Sequence, residues 1–89
     1  MTSGPGVTST GAEVTIRYWA SARAAAGCDS ETFTGREVAD VLTAAAAAHS
    51  GLGVVLSVST ILRDGRPVQA SEVLGQGAVL EVLPPFAGG

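Results

Sequence analysis

Apolar and polar residues alternate from Val14 onward, with Val14, Ile16, Tyr18 and Ala20 on one face and Thr15, Arg17 and Trp19 on the other. A two-residue period belongs to a strand with one buried face. It predicts a half-buried first strand with Trp19 pointing outward, where a large aromatic ring needs cover from another segment or from a partner. Ser21 to Gly27 is small and Ala-rich with Arg23 its only charge, which reads as a loop or a single helical turn ending at Gly27. Asp29 to Thr34 alternates again around Thr32 and Phe33. It predicts a second strand returning along the first across a long hairpin loop.

The period then changes. Thr34-Gly35-Arg36-Glu37 has the spacing of a capping box, in which a Thr and a Glu three residues on each satisfy an unpaired backbone N–H. Val38, Val41, Leu42, Ala45 and Ala48 or His49 follow at helical spacing, and Gly51 stands where a C-terminal cap belongs, so a helix is expected over 36–49. Leu52 to Ser59 is apolar and glycine-punctuated and predicts no definite element before Thr60-Ile61-Leu62-Arg63. Asp64-Gly65 signals a turn, and Arg66-Pro67-Val68 returns as a short strand that Pro67 confines to an edge. Ser71 to Leu74 suits one helical turn, Gly75-Gln76-Gly77 a reversal, and 78–83 a final buried strand. The order is β-β-α-β-β-β, an α+β domain over 13–83. It is preceded by a Gly/Ser/Thr/Pro leader at 1–12 with almost nothing to bury, expected to be disordered.

The stretch after that last strand is Pro84-Pro85-Phe86-Ala87-Gly88-Gly89. Neither proline can donate to a ladder, so the tail at 84–89 leaves the sheet. At roughly 3.3 to 3.6 Å per residue, six residues carry the terminal carboxylate on the order of 20 Å away. Gly88 and Gly89 lack Cβ atoms, pass a narrow channel and leave the carboxyl carbon open to attack from either side. A carboxylate with a pKa of roughly 3.3 to 3.7 is an anion at neutral pH. It is a poor electrophile until converted to an acyl-adenylate or thioester. Most chain ends have no such role, but a strand, two prolines, an apolar Phe86 and a final Gly-Gly form a particular arrangement.

Composition narrows the classes. Eighty-nine residues suit one small domain with little room for catalytic machinery. The net charge is -3 and all five basic residues are arginines, so no basic patch suits a phosphate backbone and no nucleic-acid partner is expected. No apolar run approaches the roughly 20 residues that span a bilayer, and no signal sequence is visible, so no membrane association and a cytoplasmic location are expected. With a single cysteine, Cys28, neither an internal disulfide nor a cysteine-based zinc site is expected, and a reducing compartment fits. It reads as a small packing residue with nothing nearby to activate its thiol. His49, alone and at the end of the expected helix, suits the helix dipole better than a metal. No metal site is expected from this spacing. No Ser-His-Asp, Cys-His or paired-carboxylate set is visible for catalysis by the chain alone.

The element order and the tail together resemble the β-grasp, the ubiquitin-like roll, and in particular the sulfur-carrier proteins of the molybdopterin-synthase small-subunit and thiamine sulfur-carrier group. The resemblance covers roughly 14–89. It is most specific in Leu80-Glu81-Val82-Leu83-Pro84-Pro85-Phe86-Ala87-Gly88-Gly89, which looks like the molybdopterin branch, since thiamine-type carriers usually lack the diproline. Val14 to Ala20 with Arg23 and Gly27 matches the family's first strand and loop less specifically. Gly75-Gln76-Gly77, where a more acidic turn is common, Asp64 in place of a frequent Asn, and residues 52–59 depart from the pattern.

The resemblance implies a carrier and substrate that is no catalyst alone, the sulfur-donating subunit of a sulfurtransferase complex. A ubiquitin-activating-like adenylyltransferase would join AMP transiently to Gly89, with no cofactor bound permanently. A sulfurtransferase would convert the adenylate to a thiocarboxylate. The large subunit of molybdopterin synthase would then receive the tail and pass the sulfur to a cyclic pterin precursor. If Trp19 and Leu83 both face outward on neighbouring strands, they form an apolar patch with Phe86, with Arg23 at its rim and Pro67 near its edge. Three other readings share the residues: a carrier for thiamine or cysteine synthesis, a ubiquitin-like modifier ligated to target lysines, and a plain β-grasp interaction domain indifferent to Gly89.

Overall fold

The computed structural model describes residues 11–85. β1 (Ala12–Tyr18) and β2 (Ser30–Gly35) pair antiparallel from Ala12↔Gly35 to Arg17↔Ser30. The expected hairpin therefore forms, and its first strand begins two residues before Val14. β5 (Val79–Leu83) lies parallel to β1 on the other side, with Ile16 opposite Leu80 and Tyr18 opposite Val82. A parallel neighbour needs a crossover connection, and here nearly the whole domain is that connection. β3 (Thr60–Arg63) runs antiparallel to β5, and the two-residue β4 (Arg66–Pro67) closes the edge. The sheet order is β2-β1-β5-β3-β4, the β-grasp arrangement, and Pro67 sits on the edge strand as expected. Asp64 and Gly65 both take positive φ, 53° and 79°, the pairing a two-residue hairpin turn requires.

One face of the sheet carries the core. Val14, Ile16, Tyr18, Ile61, Leu80 and Val82 point to the same side and pack against Ala22, Ala26, Val38, Val41, Ala45, Leu52 and Leu74. All of these are buried. Two short helices add to the expected element order. α1 (Ala20–Ala26) replaces the loop or single turn expected after Trp19. Its buried Ala22 and Ala26 lie four residues apart on one face, and Gly27, at φ 76°, ends it by donating to the Arg23 carbonyl at 2.8 Å.

α2 (Val38–Ala48) starts later than expected and is capped differently. Thr34 and Gly35 are held in the β1–β2 ladder, so Thr34 is unavailable as a cap. Glu37 is the N-cap instead, and Asp40 three residues on completes a capping box, its Oδ2 accepting from the backbone N–H of Glu37 at 2.9 Å and of Arg36 at 3.0 Å. Those bonds to Glu37 and Arg36 hold the Asp40 carboxyl below its usual range. Residues 69–74, expected to contain a helical turn, form a strap across the start of α2. Its Glu72 and Ala70 carbonyls accept from the Val38 and Ala39 N–H groups at 3.0 and 2.9 Å, and Val73 bridges to Glu37.

α3 (Leu52–Val58) occupies the stretch where no definite element is predicted. Gly51, expected to cap the preceding helix, instead opens α3 at φ 91°. Leu52 anchors α3 in the core, and Gly53 lies against α2 so that an added Cβ would rest 3.5 Å from that of Ala46. Glycine and β-branched residues give this segment weak helix propensity, and tertiary packing supplies the difference.

Gly35 is the tightest contact between sheet and helix. A Cβ built there would lie 2.7 Å from Val41 Cγ1 and 2.8 Å from Asp40 Cβ, neither at the end of a long flexible chain. Gly35→Ala is therefore expected to destabilise by about 1–3 kcal/mol through overpacking, read by chemical denaturation. A variant as stable as the parent would show that α2 can shift away freely.

Candidate docking face and tail exit

Because α1, α2 and α3 all supply residues to the core on one side, the opposite face of the sheet is open. Register places its residues. Arg17 stands opposite Glu81, Glu81 opposite Leu62, and Leu62 opposite Pro67, in one row across four strands. One step beyond the Tyr18↔Val82 pair come Trp19 and Leu83, at the adjacent C-terminal ends of β1 and β5. Strands about 4.8 Å apart make Trp19 and Leu83 neighbours. Pro67, two strands beyond β5, lies on the far edge of the same face.

The aromatic group is oriented by its own strand. Arg17, two residues before Trp19, places its guanidinium carbon 5.2 Å from the centroid of the indole ring, a cation–π contact. Trp19 remains 38% exposed, so the ring is fixed along one side and offered on the other. The Arg17–Glu81 pair at 3.9 Å is exposed and adds little stability. Arg23 on α1 reaches Asp29 at 3.4 Å. With Arg17, Tyr18, Trp19 and Ser30, these two line a shallow cleft of about 200 Å³ at the end of β1. Arg23 thus stands beside Trp19 at the rim of this cleft. Arg17 was missed as part of it, although its i, i+2 relation to Trp19 was visible in the alternation.

Leu83 is half-buried, Pro84 half-buried and Pro85 exposed, and neither proline joins the ladder. Phe86, Gly88 and Gly89, the remaining predicted site residues, lie outside the described residues. The face offers an apolar side chain with a cationic rim beside the chain's exit. The single histidine is elsewhere: His49, the C-cap of α2, bonds Glu31 on the inner side of β2. Cys28 lies close to both, a juxtaposition that positions 28, 31 and 49 do not reveal as sequence spacing. Burial, reinforced by the Glu31 and Asp29 carboxylates, pushes the Cys28 thiol up. This agrees with the reading of an unactivated thiol. Among the described residues, no helix is long and apolar enough to cross a membrane.

The model of the ThiS family matches residues 16–89. Among solved structures, the chain is similar to a putative molybdopterin converting factor, subunit 1, from Pyrococcus furiosus, at 27% identity and a TM-score of 0.75, over 84% of this chain and 99% of that one. It is similar also to the small archaeal modifier protein 1 of Methanosarcina acetivorans, at 25% identity and a TM-score of 0.81, over 89% and 98% of the two chains. It shares its fold with a protein–protein complex of subunits 1 and 2 of the molybdopterin-converting factor from Helicobacter pylori, at 22% identity and a TM-score of 0.64, covering 86% of this chain and 99% of that one. No curated protein matches the chain.

Proposed function

The chain belongs to the ThiS family, a family of ubiquitin-like sulfur carriers, and within it we propose that the chain is the small subunit of molybdopterin synthase, with Gly89 as the sulfur-bearing residue. The observation that carries this choice is the Leu83-Pro84-Pro85-Phe86-Ala87-Gly88-Gly89 ending, which leaves β5 beside an exposed Trp19. The Pyrococcus furiosus and Helicobacter pylori neighbours, both named as molybdopterin converting factors, support the same branch.

In this reading the Gly89 carboxylate attacks the α-phosphorus of ATP on an adenylyltransferase, releasing pyrophosphate and forming an acyl-adenylate. The outer sulfur of a sulfurtransferase persulfide then attacks the acyl carbon, and AMP leaves. A thiol cleaves the resulting acyl disulfide, forming an enzyme disulfide and freeing the Gly89 thiocarboxylate. Docked on the large subunit, that thiocarboxylate is the sulfur nucleophile toward the cyclic pterin precursor. The chain contributes reach, a slender diglycine and a docking face. Groups that move protons belong to its partners.

A second reading is favoured by the neighbour named a modifier protein: the activated Gly89 is transferred to a lysine amine of another protein. The chain contains no lysine, which rules out chains built on its own lysine side chains and leaves conjugation to other proteins open. The product separates the two, a thiocarboxylate at Gly89 in one case and an isopeptide in the other.

Two variants test the docking face. Trp19→Ala and Leu83→Asp are expected to keep the fold and to weaken binding to the large subunit of molybdopterin synthase by about 30-fold each, from the roughly 2 kcal/mol typical of an interface anchor. Unchanged affinity in both would move the interface elsewhere. The tail is tested by removing Gly89 and by Gly88→Val. Deleting one residue shortens the reach by only about 3.3 to 3.6 Å, yet misplacing a reacting group by about 1 Å costs on the order of a hundredfold in rate. Given ATP, the activating enzyme and a sulfur donor, the parent should gain in intact mass the difference between one oxygen and one sulfur. Both variants should melt like the parent and stay unmodified. A truncated chain that still acquired sulfur and supported pterin conversion would remove Gly89 from the mechanism.

A further inference from the structure

Cys28, Glu31 and His49 reach one point from three parts of the fold: the α1–β2 loop, the inward side of β2, and the residue that ends α2. One ligand-type atom from each, a thiol sulfur, a carboxylate oxygen and a ring nitrogen, lies within 4.8 Å of the other two. His49 Nε2 is 2.7 Å from Glu31 Oε1, and the Tyr18 hydroxyl donates to that same oxygen at 2.8 Å. All three ligand-type residues are half-buried. The β1–β2 register turns Glu31 inward opposite Ile16, and the end of α2 delivers His49 to it.

Glu31 is partly withdrawn from water, its side chain 25% exposed. Its hydrogen-bond partners among the described residues are a tyrosine and a histidine, with no arginine. Arg17, Arg23 and Arg63 are engaged elsewhere, with Glu81, Asp29 and Glu72 respectively. Among the described residues, His49 is the one potentially cationic side chain that bonds Glu31.

We propose that Cys28, Glu31 and His49 form a three-ligand site for a zinc-type divalent cation, with a fourth position open to water or an external ligand. The donor set points to the metal class. A thiolate, an imidazole and a carboxylate suit a borderline-soft tetrahedral ion, whereas magnesium and calcium take oxygen alone. Bond lengths of about 2.3 Å to sulfur and 2.0–2.2 Å to nitrogen and oxygen put tetrahedral ligand atoms about 3.3–3.6 Å apart. The three atoms therefore need only side-chain adjustment to close on an ion. Binding releases the Cys28 proton to solvent, and His49 ligates as the neutral ring through Nε2 with its proton on Nδ1. Tyr18 keeps its bond to one Glu31 oxygen and orients the carboxylate while the other oxygen ligates, the usual part of an outer-shell partner. The ion ties the end of α2 to β2 on the helical side of the sheet, which leaves the docking face and the tail free.

The test uses the tag-free full-length chain, stripped with a chelator and kept reduced. Cobalt(II) alone is titrated in, and then displaced with zinc. The parent should bind one equivalent with tetrahedral visible bands and a sulfur-to-cobalt charge-transfer band, both abolished by zinc. Cys28→Ser should lose the charge-transfer band, and His49→Ala and Glu31→Gln should bind cobalt at least tenfold more weakly, their folding checked by circular dichroism. Zinc should raise the melting temperature of the parent and leave that of Cys28→Ser unmoved, because an ion bound only to the folded state stabilises it. No charge-transfer band in the parent at millimolar cobalt overturns the site. Affinity unchanged in folded His49→Ala and Glu31→Gln does so as well, since the metal would then sit on a lone thiol.

Discussion

The parallel pairing of β1 with β5 brings the two ends of the domain together at the centre of the sheet, and most other features depend on it. Once Ile16 is opposite Leu80 and Tyr18 opposite Val82, all four side chains enter the same core, and that core claims the helices for one side. The other side is left without cover. The same pairing fixes where the chain departs, because Leu83 ends β5 next to the end of β1, beside Trp19. The open face and the exit of the tail are therefore adjacent by construction of the sheet.

A domain of this size has little stability to spare, and it secures its crossover with polar detail. The strap at 69–74 supplies carbonyls to the first N–H groups of α2, and Asp40 accepts from the two backbone N–H groups just before the helix. Arg63, bonded to Glu72 at 3.1 Å, ties that strap back to β3. Gly35 lets β2 approach α2 closely enough for Val41 to be fully buried. These contacts hold the helical side rigid against the sheet, so a partner meeting the open face meets a preformed surface.

Much of this was legible in the chain. The alternation through Val14, Ile16 and Tyr18 placed the first strand and turned Trp19 outward, Asp64-Gly65 marked the hairpin, and Pro67 marked the edge. Four features were not legible, each for a physical reason. Thr34 fits a capping box locally, but the ladder to Glu13 claims it first. Gly51 reads as a helix end, yet its positive φ serves equally to open the next helix. Residues 52–58 have poor helix propensity, and only Leu52 in the core and Gly53 against Ala46 explain why they coil. The grouping of Cys28, Glu31 and His49 was invisible because it depends on where α2 ends relative to β2, a tertiary distance that no spacing encodes. The tail was legible as chemistry alone.

In the proposed function, a large partner grips the open face of the sheet, adjoining the exit of β5, while the tail reaches inside. Amide chemical-shift mapping of the isotope-labelled chain, free and with the large subunit of molybdopterin synthase, tests it residue by residue. Shifts and line broadening should concentrate at Arg17, Trp19, Leu62, Glu81, Leu83 and the residues after Pro85, with α2 and α3 little affected. Perturbations centred on α2 and α3, with Trp19 and Leu83 unmoved, would contradict it.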